Sequence, residues 1–294
     1  MAASDSAQRL TEARQKGILY IVISALGFAL MSFFVKASGD IPVMEKAVFR
    51  NLVASFAAFL LLKRSGHPFR IGKGNYLTML LRCSFGTAGL IANFWAISHL
   101  KIGDANILSK MAPFFSIVMS IMVLGEKPNG IELLSVFLAL IGAAFVVKPG
   151  SGVASAPALV ALFGGLCAGS AYTFVRKLGT HGVQGPVIVL CFSVFSTLVC
   201  LPFTILSFVP ISIGQLLCLI AAGCAAALAQ IAVTAAYTYA PAKDISVFDY
   251  TQVLFASMLG FVFFHEIPDI YSIIGYIIII GTAIGKWYYA LNKA

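Results

Sequence analysis

The sequence has very little charge for a chain of its length, and this shortage excludes a soluble protein. Charged residues make up 11% of its 294 residues and hydrophobic residues 60%, whereas a typical soluble domain carries about 25% charge. A soluble chain of this size has no interior large enough to bury so much apolar surface. We therefore expect a membrane protein that contacts the lipid bilayer. The net charge of +9 then reports membrane orientation, and we expect no nucleic-acid partner.

The sequence also lacks the patterns that hold disulfides, metals or catalytic centres. The six cysteines lie inside apolar stretches without a Cys-x-x-Cys pair, so we expect buried free thiols. The four histidines have no partner at the spacing of metal ligands. No nucleophile–base pair or pair of carboxylates occurs within the apolar stretches. The sequence therefore predicts no catalytic residue, no metal, no cofactor and no enzyme activity.

What the sequence does contain is a series of long apolar stretches. A membrane-spanning helix needs about 20 mostly apolar residues, and the chain divides into ten such stretches joined by loops of a few residues. The predicted fold is therefore an all-α membrane protein with ten transmembrane helices. The predicted spans are 17–37, 43–62, 75–98, 104–124, 130–147, 157–175, 186–207, 213–239, 244–264 and 269–291.

One part of the chain occurs twice, 140 positions apart, without a gap. Polar matches at both ends of the repeated window indicate a duplicated fold. Asp104 and Asp244 fit helix N-caps, and Pro128 and Pro268 fit the first turn of the next helix, so we expect structural roles for these repeated acid and proline positions. The matched polar pairs are Asp104 with Asp244, Glu126 with Glu266, and Pro128 with Pro268.

Lysine and arginine indicate how the chain crosses the membrane. With the amino end inside, the cytoplasmic segments hold thirteen of these residues and the outer segments hold four. Both termini are therefore predicted in the cytoplasm, and residues 1–16 form a cytoplasmic segment. Because each half has five predicted helices, the half at 157–291 enters the membrane the opposite way up from the half at 17–148. Inverted repeats of this kind are a transporter architecture, with the site near the midplane.

The two copies resemble the repeats of a known transporter family. Residues 100–147 and 239–284 are similar to the two EamA-like repeats of the drug/metabolite transporter superfamily, most specifically in their Gly-Glu-x-Pro and His-Glu-x-Pro corners. The resemblance implies a five-plus-five inverted arrangement of helices, a central cavity and alternating access. The second copy departs from the pattern at two positions, where Pro113 becomes Val253 and Gly125 becomes His265.

Charged residues within spans are the first candidates for contact with cargo, because they are costly in a bilayer and seldom present without a function. Helical spacing places further polar side chains on the same faces or on neighbouring helices. The predicted substrate-binding residues are Lys110, Arg82, Asp249, Asn93, Gln252, Gln230, Tyr237, Arg50 and Tyr172.

The depth of these charges suggests how they pair. Arg82 and Asp249 lie at similar depth from the cytoplasm, so we expect them to approach each other in at least one state. Arg50 has a possible partner in Glu45, near the start of its own helix. Several helices also carry glycines at four-residue spacing, which fit either a cavity wall or close helix packing.

Lys110 is the candidate for binding an anionic group of the cargo. It lies one and a half turns into the fourth span, and Pro113 removes the N–H that would bond the Ser109 carbonyl, which favours a hinge there. The alternative is a lysine that extends outward to the lipid headgroups.

The predicted function is alternating-access transport of a small polar metabolite across the plasma (cell inner) membrane. Three of the four charges within spans are basic, which favours an anionic or zwitterionic cargo such as an organic acid or an amino-acid-like molecule. We expect a monomer or weak homodimer, with a proton or a counter-substrate as the coupling partner. The alternatives are export of cationic or zwitterionic amino acids or drugs through Asp249, and a non-transporting membrane scaffold.

Overall fold

The structure, a computed structural model, describes residues 2–66, 68–125, 129–147, 155–239 and 246–292. Regular structure in these ranges is entirely helical, because a backbone in lipid must satisfy its hydrogen bonds within each segment. The helices are α1 (Ala2–Ala37), α2 (Val43–Ser65), α3 (Tyr76–His99), α4 (Ile102–Ser109), α5 (Ala112–Leu124), α6 (Gly130–Val147), α7 (Ser155–Thr180), α8 (Gly185–Leu206), α9 (Ile213–Tyr239), a 3-10 helix (Ser246–Tyr250), α10 (Thr251–Phe264) and α11 (Ile270–Asn292).

Eight helical stretches in the described ranges are long and apolar enough to cross a membrane. The all-α membrane prediction is therefore confirmed, but two of the ten predicted spans do not qualify by length and composition. The span at 43–62 falls in α2, which carries Glu45, Lys46 and Arg50 in its first half. The span at 244–264 is described as a shorter apolar helix, Phe248–Phe264.

The fourth span is interrupted where the proline predicts a hinge. α4 ends at Ser109, residues 110 and 111 form a turn, and α5 begins at Ala112. Pro113 has no N–H to bond the Ser109 carbonyl, and its ring clashes with that carbonyl in a continuous helix. The second copy is interrupted at the matching position, where the 3-10 helix gives way to α10.

The N-cap prediction for Asp104 is wrong. α4 begins two residues earlier, at Ile102, so Asp104 lies in its first turn, where its carboxylate accepts a hydrogen bond of 2.6 Å from the Tyr276 hydroxyl. Three of the other matched residues, Asp244, Glu126 and Pro128, lie outside the described part of the chain.

The corner before α11 also differs from prediction. α11 begins at Ile270, so Pro268 lies before the helix and not in its first turn. The cap is Asp269, whose Oδ1 accepts a hydrogen bond of 3.0 Å from the Ser272 N–H.

The contacts between helices follow the duplication. Each of the most extensive contacts has a counterpart in which every helix is replaced by the matching helix of the other half. α1 packs on α9 as α7 packs on α3, and α1 packs on α10 as α7 packs on α5. α2 packs on its own counterpart α8, and α6 on its counterpart α11. The duplication seen in the sequence therefore extends to the helix contacts.

Two glycines of α7 allow that helix to lie against the interrupted fourth span. A Cβ atom at Gly165 would lie 2.7 Å from the Leu108 carbonyl oxygen, and one at Gly169 would lie 2.5 Å from the Ala112 carbonyl oxygen. Any larger residue would push the two backbones apart. These glycines therefore serve helix packing, and they fix the position of the interruption in the protein interior.

Candidate functional site

Lys110 and Asp249 form an ion pair between the two interrupted helices. The Lys110 Nζ atom donates to Asp249 Oδ2 at 2.5 Å, and the two side chains are 13% and 24% exposed. Lys110 follows the last residue of α4, and Asp249 lies in the 3-10 helix, so the pair joins the two copies. The ammonium group therefore points into the protein, contrary to the alternative of a lysine that extends to the headgroups.

Asp249 pairs with Lys110 in this structure and not with Arg82, the partner expected from depth alone. Residues at equal depth meet only if their helices are neighbours. α4 packs directly against α10 and α7, and this packing brings the end of α4 to the 3-10 helix that carries Asp249. Arg82 lies instead over the ring of Phe192 on α8, with 4.5 Å between its guanidinium carbon and the ring centroid.

Tyr250 makes a second link between the copies. Its buried hydroxyl donates a hydrogen bond of 3.1 Å to the Lys110 carbonyl oxygen. That oxygen lacks its usual helical partner, because the Phe114 N–H bonds to the Met111 oxygen. Tyr250 occupies the position in the second copy that Lys110 occupies in the first, so each of the two matched residues contacts the other copy.

Two predicted amides stabilise the interrupted helix. Gln252 on α10 is buried and donates through Nε2 to Asn106 Oδ1 on α4. Asn93 on α3 donates through Nδ2 to the Ser109 hydroxyl, next to the break. Both side chains thus bond to residues of α4 that precede Lys110.

Arg50 and Arg82 both lie near the ring of one aromatic residue, Phe192. The guanidinium carbon of Arg50 is 5.9 Å from the Phe192 ring centroid, and Arg82 approaches the same ring more closely. Arg50 donates through Nη1 to Asn51 Oδ1 at 2.8 Å, and the Asn51 amide in turn donates to the Ser196 hydroxyl at 2.8 Å. The position of Arg50 is therefore fixed through a chain of hydrogen bonds to α8.

The suggested pairing of Arg50 with Glu45 is wrong. The two residues are five positions apart on α2, and this spacing places their side chains on different faces of the helix. The ion pairs in the described ranges include neither residue. Arg50 uses the neighbouring asparagine instead.

Tyr172 connects the arginines to the ion pair. Its hydroxyl interacts electrostatically with Asp249, Arg82 and Arg50, which lie on three different elements. These neighbours show that the side chain points into the bundle, yet it is 56% exposed. We infer that the exposed surface of Tyr172 borders an open interior space near Arg50, Arg82 and the Lys110–Asp249 pair.

The other predicted residues contribute less to this geometry. Gln230 is half-buried on α9 and has an interaction partner. Tyr237 lies on α9, but its side chain is outside the described part of the structure.

Sequence reasoning missed Tyr250, Phe192 and Asn51. A signal existed for Tyr250, because it aligns with Lys110 across the repeat. None distinguished Phe192 from the 23 other phenylalanines.

A cluster of charged residues links the end of α1, the start of α4 and the corner before α11. Lys36 at the end of α1 pairs with Glu266 and donates to the Leu100 carbonyl oxygen at 2.5 Å. Glu266 also accepts a hydrogen bond of 2.7 Å from the Ile102 N–H, the first residue of α4. Lys101 donates to the Ile267 carbonyl oxygen at 2.6 Å. The second acid–proline corner therefore has the structural role that its position in the repeat predicts.

The side chains around the interior space suit the binding of a small charged molecule and show no sign of a metal centre. Within the described residues, no group of three or more His, Cys, Asp or Glu side chains is placed to hold a metal ion. What the space offers is guanidinium and ammonium donors, one carboxylate and a phenol.

Comparison with known proteins agrees with these features. The model of the EamA-like transporter family matches the chain twice, at residues 15–148 and 155–285. The pseudopaline exporter CntI of Pseudomonas aeruginosa (strain UCBPP-PA14) is 30% identical over 92% of this chain and 95% of that protein. The riboflavin transporter of Vibrio cholerae serotype O1 is 24% identical over 86% of each. One solved crystal structure shares the fold, with a TM-score of 0.67 at 16% identity over 93% of this chain and 98% of that chain.

Proposed function

The chain belongs to the EamA-like transporter family, and from that premise we propose that it carries a small anionic or zwitterionic metabolite across the membrane by alternating access. It is an integral multi-pass membrane protein whose relatives are transporters and exporters. The cargo would be an organic acid or an amino-acid-like molecule. It would bind in the interior space beside Tyr172.

The observation that carries this proposal is the Lys110–Asp249 ion pair. Both side chains are partly exposed, and each residue lies at an interruption, where the backbone is not part of a continuous α-helix. A carboxylate competes with Asp249 for Lys110, and an amine competes with Lys110 for Asp249. A zwitterion that inserts between them replaces one charged contact with two and loosens the link between the copies.

The proposed architecture is a five-plus-five inverted repeat with the site between the halves, 17–148 and 157–291. The helix contacts, which match between the two halves, support a twofold relation. The distribution of lysine and arginine supports the inversion, with both termini in the cytoplasm. On this orientation the cluster around Lys36 and Glu266 closes the outer end. The conformation is then closed to the outside, and opening requires these contacts to break.

The proposal extends to location and direction. We place the protein in the plasma (cell inner) membrane as a monomer or weak homodimer, with a proton or counter-substrate driving the cycle. The pseudopaline exporters support export. The remaining in-span residues, Arg50, Arg82, Asn93, Gln252, Gln230, Tyr237 and Tyr172, complete the proposed binding set.

A second candidate is export of cationic amino acids or drugs. The observation that favours it is the greater exposure of the Asp249 side chain, 24% against 13% for Lys110. A cationic cargo would bind Asp249 and displace Lys110, whereas an anionic cargo would bind Lys110 and displace Asp249.

Reconstituted transport tests the proposal. Proteoliposomes loaded with a bacterial metabolite extract, and matched liposomes without protein, are compared for solutes lost from the lumen, measured by mass spectrometry. We expect loss of one class of organic anion or zwitterion. For that solute, Lys110→Met should weaken the apparent affinity by about tenfold or more, because a charge-assisted hydrogen bond is lost.

The matched control is Lys63→Met, which removes an exposed lysine at the end of α2 and should leave the affinity unchanged. If Lys110→Met keeps the parent's affinity for an anionic solute, Lys110 does not bind the anion. If only cations are lost and Asp249→Asn abolishes that loss, the second candidate is correct.

A further inference from the structure

The charges around the interior space do not balance. Lys110 and Asp249 neutralise each other, but Arg50 and Arg82 add two positive charges. In the part of the chain that the structure describes, the ion pairs are Lys36–Glu266, Lys101–Asp269 and Lys110–Asp249, and neither arginine takes part in them. Two cations without anions are costly in the interior of a membrane protein. A ligand that supplies two negative charges would remove that cost.

Both arginines also keep hydrogen-bonding capacity that the protein does not use. The Nε atoms of Arg50 and Arg82 are buried and have no hydrogen-bond partner. Arg50 is 9% exposed and uses Nη1 on Asn51, which leaves Nε and Nη2 for a ligand. An arginine binds a carboxylate through two parallel N–H donors, so each side chain has what a carboxylate requires.

The two guanidinium groups lie near the same aromatic ring, that of Phe192. Their carbons are 5.9 Å and 4.5 Å from the same ring centroid, so they are at most about 10 Å apart. Arg50 is also held by its hydrogen bond to Asn51, whose amide bonds to Ser196. Tyr172 is near both arginines and borders the open space.

We propose that Arg50 and Arg82 each bind one carboxylate of the same cargo molecule, so that the substrate class is organic acids with two or more carboxylates. This inference rests on the proposed transport function and narrows its cargo. A phosphate monoester also carries two negative charges, but it presents them on one phosphorus atom. Two guanidinium groups on different helices, α2 and α3, offer two sets of N–H donors, which fit two carboxylates better. An amino group on the same molecule would face Asp249, which also lies near Tyr172.

Ligand-dependent thermal unfolding of the purified full chain in detergent tests this assignment. The probes are acetate, succinate, glutarate, adipate, citrate and inorganic phosphate, each titrated at constant ionic strength. A ligand that binds the folded protein raises the melting temperature with concentration. We expect at least one di- or tricarboxylate to bind about tenfold or more tightly than acetate and phosphate. Equal shifts for acetate or phosphate would overturn the proposal.

Variants of the two arginines identify the site. Arg50→Gln and Arg82→Gln should each weaken binding of the best polycarboxylate by about 10- to 100-fold, the loss expected for a charged hydrogen bond, and bring it close to the acetate value. The matched control, Arg64→Gln, changes an exposed arginine at the end of α2 and should keep the parent's affinity. Parent-like affinity in both arginine variants would overturn the assignment.

The same variants separate a binding role from a role in folding. Removing an unpaired cation from the interior should leave the melting temperature without ligand equal to or above the parent's. If a glutamine variant unfolds early, Arg82→Lys is used, because it keeps the charge but loses the paired donors. Arg82→Lys should still lose the preference for polycarboxylates over acetate, and a retained preference would overturn the proposal.

Transport distinguishes failure of this inference from failure of the proposed function. Proteoliposomes that carry other solutes, while no polycarboxylate raises the melting temperature, would refute the polycarboxylate class and leave the transporter intact. Polycarboxylates that bind but are not carried, in liposomes that carry nothing else, would refute transport and leave the binding site intact.

Discussion

The interrupted helix of the first copy and that of the second reach the same geometry by different sequences. In the first copy, Pro113 removes a backbone donor and ends α4 at Ser109. In the second copy the matching residue is Val253, which has an N–H, and the chain still changes from a 3-10 helix to an α-helix after Tyr250. Proline is therefore not necessary for the interruption. In both copies the residue at the break makes its main contact with the opposite copy.

The two helix ends show the same contrast. α5 is followed by Gly125 with a φ of 68°, and α10 is followed by His265 with a φ of 54°, both in the left-handed region. Glycine adopts this conformation readily, whereas histidine has a Cβ that makes it strained. The duplicated fold thus keeps the left-handed backbone conformation at a position where the residue type no longer favours it.

The largest expected effect comes from cutting the charged link between the copies. Asp249→Asn leaves the Lys110 ammonium without a counter-charge in the interior, and we expect a loss of about 3 kcal/mol in the free energy of unfolding. The double variant Lys110→Met with Asp249→Leu should regain most of that loss. Denaturant unfolding in micelles measures both. Losses that simply add in the double-mutant cycle would show that the two side chains act separately.

A smaller effect is expected from removing the Tyr250 hydroxyl, which donates to the Lys110 carbonyl oxygen. Tyr250→Phe keeps the ring but leaves the Lys110 carbonyl oxygen without its donor, so the free energy of unfolding should fall by about 1–2 kcal/mol. The matched control is Tyr271→Phe, because Tyr271 is 57% exposed. Equal losses in the two variants would mean that the link through Tyr250 adds nothing to stability.

The smallest expected effect has the opposite sign. His265→Gly should raise the free energy of unfolding by about 1 kcal/mol, because glycine relieves the strain of a left-handed backbone. The reciprocal change, Gly125→Ala, should lower it by about the same amount. A neutral or destabilising His265→Gly would indicate that the imidazole makes contacts that outweigh the strain.

Much of the fold follows from local chemistry and could be predicted. Long apolar stretches predict helices, the ungapped repeat predicts two related halves, and Pro113 predicts the interruption beside Lys110. These features depend on residues that are close in sequence. The predicted spans at 43–62 and 244–264 do not qualify as membrane spans by length and composition. They show the limit of that approach, because their place in the bundle depends on neighbouring helices.

The partners of the charged residues could not be predicted in the same way. Arg82 and Lys110 were both reasonable partners for Asp249 by charge, and only the packing of α4 against α10 decides between them. Arg50 and Glu45 share a helix, but their spacing separates them. Phe192 has no charged or polar side-chain atom, so nothing in the sequence indicates that its ring lies near two arginines.

The charged residues of α2 also affect how the chain enters the membrane. This helix is not apolar enough to be inserted alone, because Glu45, Lys46 and Arg50 oppose its transfer into lipid. Lys46 bonds to the Val35 and Gly39 carbonyl oxygens, which are made before it, so α1 and α2 enter as a hairpin. Asn51 and Arg50 can contact their partners, Ser196 and Phe192, only after those residues are synthesised, about 140 residues later. We therefore expect stable integration of α2 to require the second half of the chain. A chain truncated before α8 should leave α2 without these partners and open to degradation as an unassembled helix.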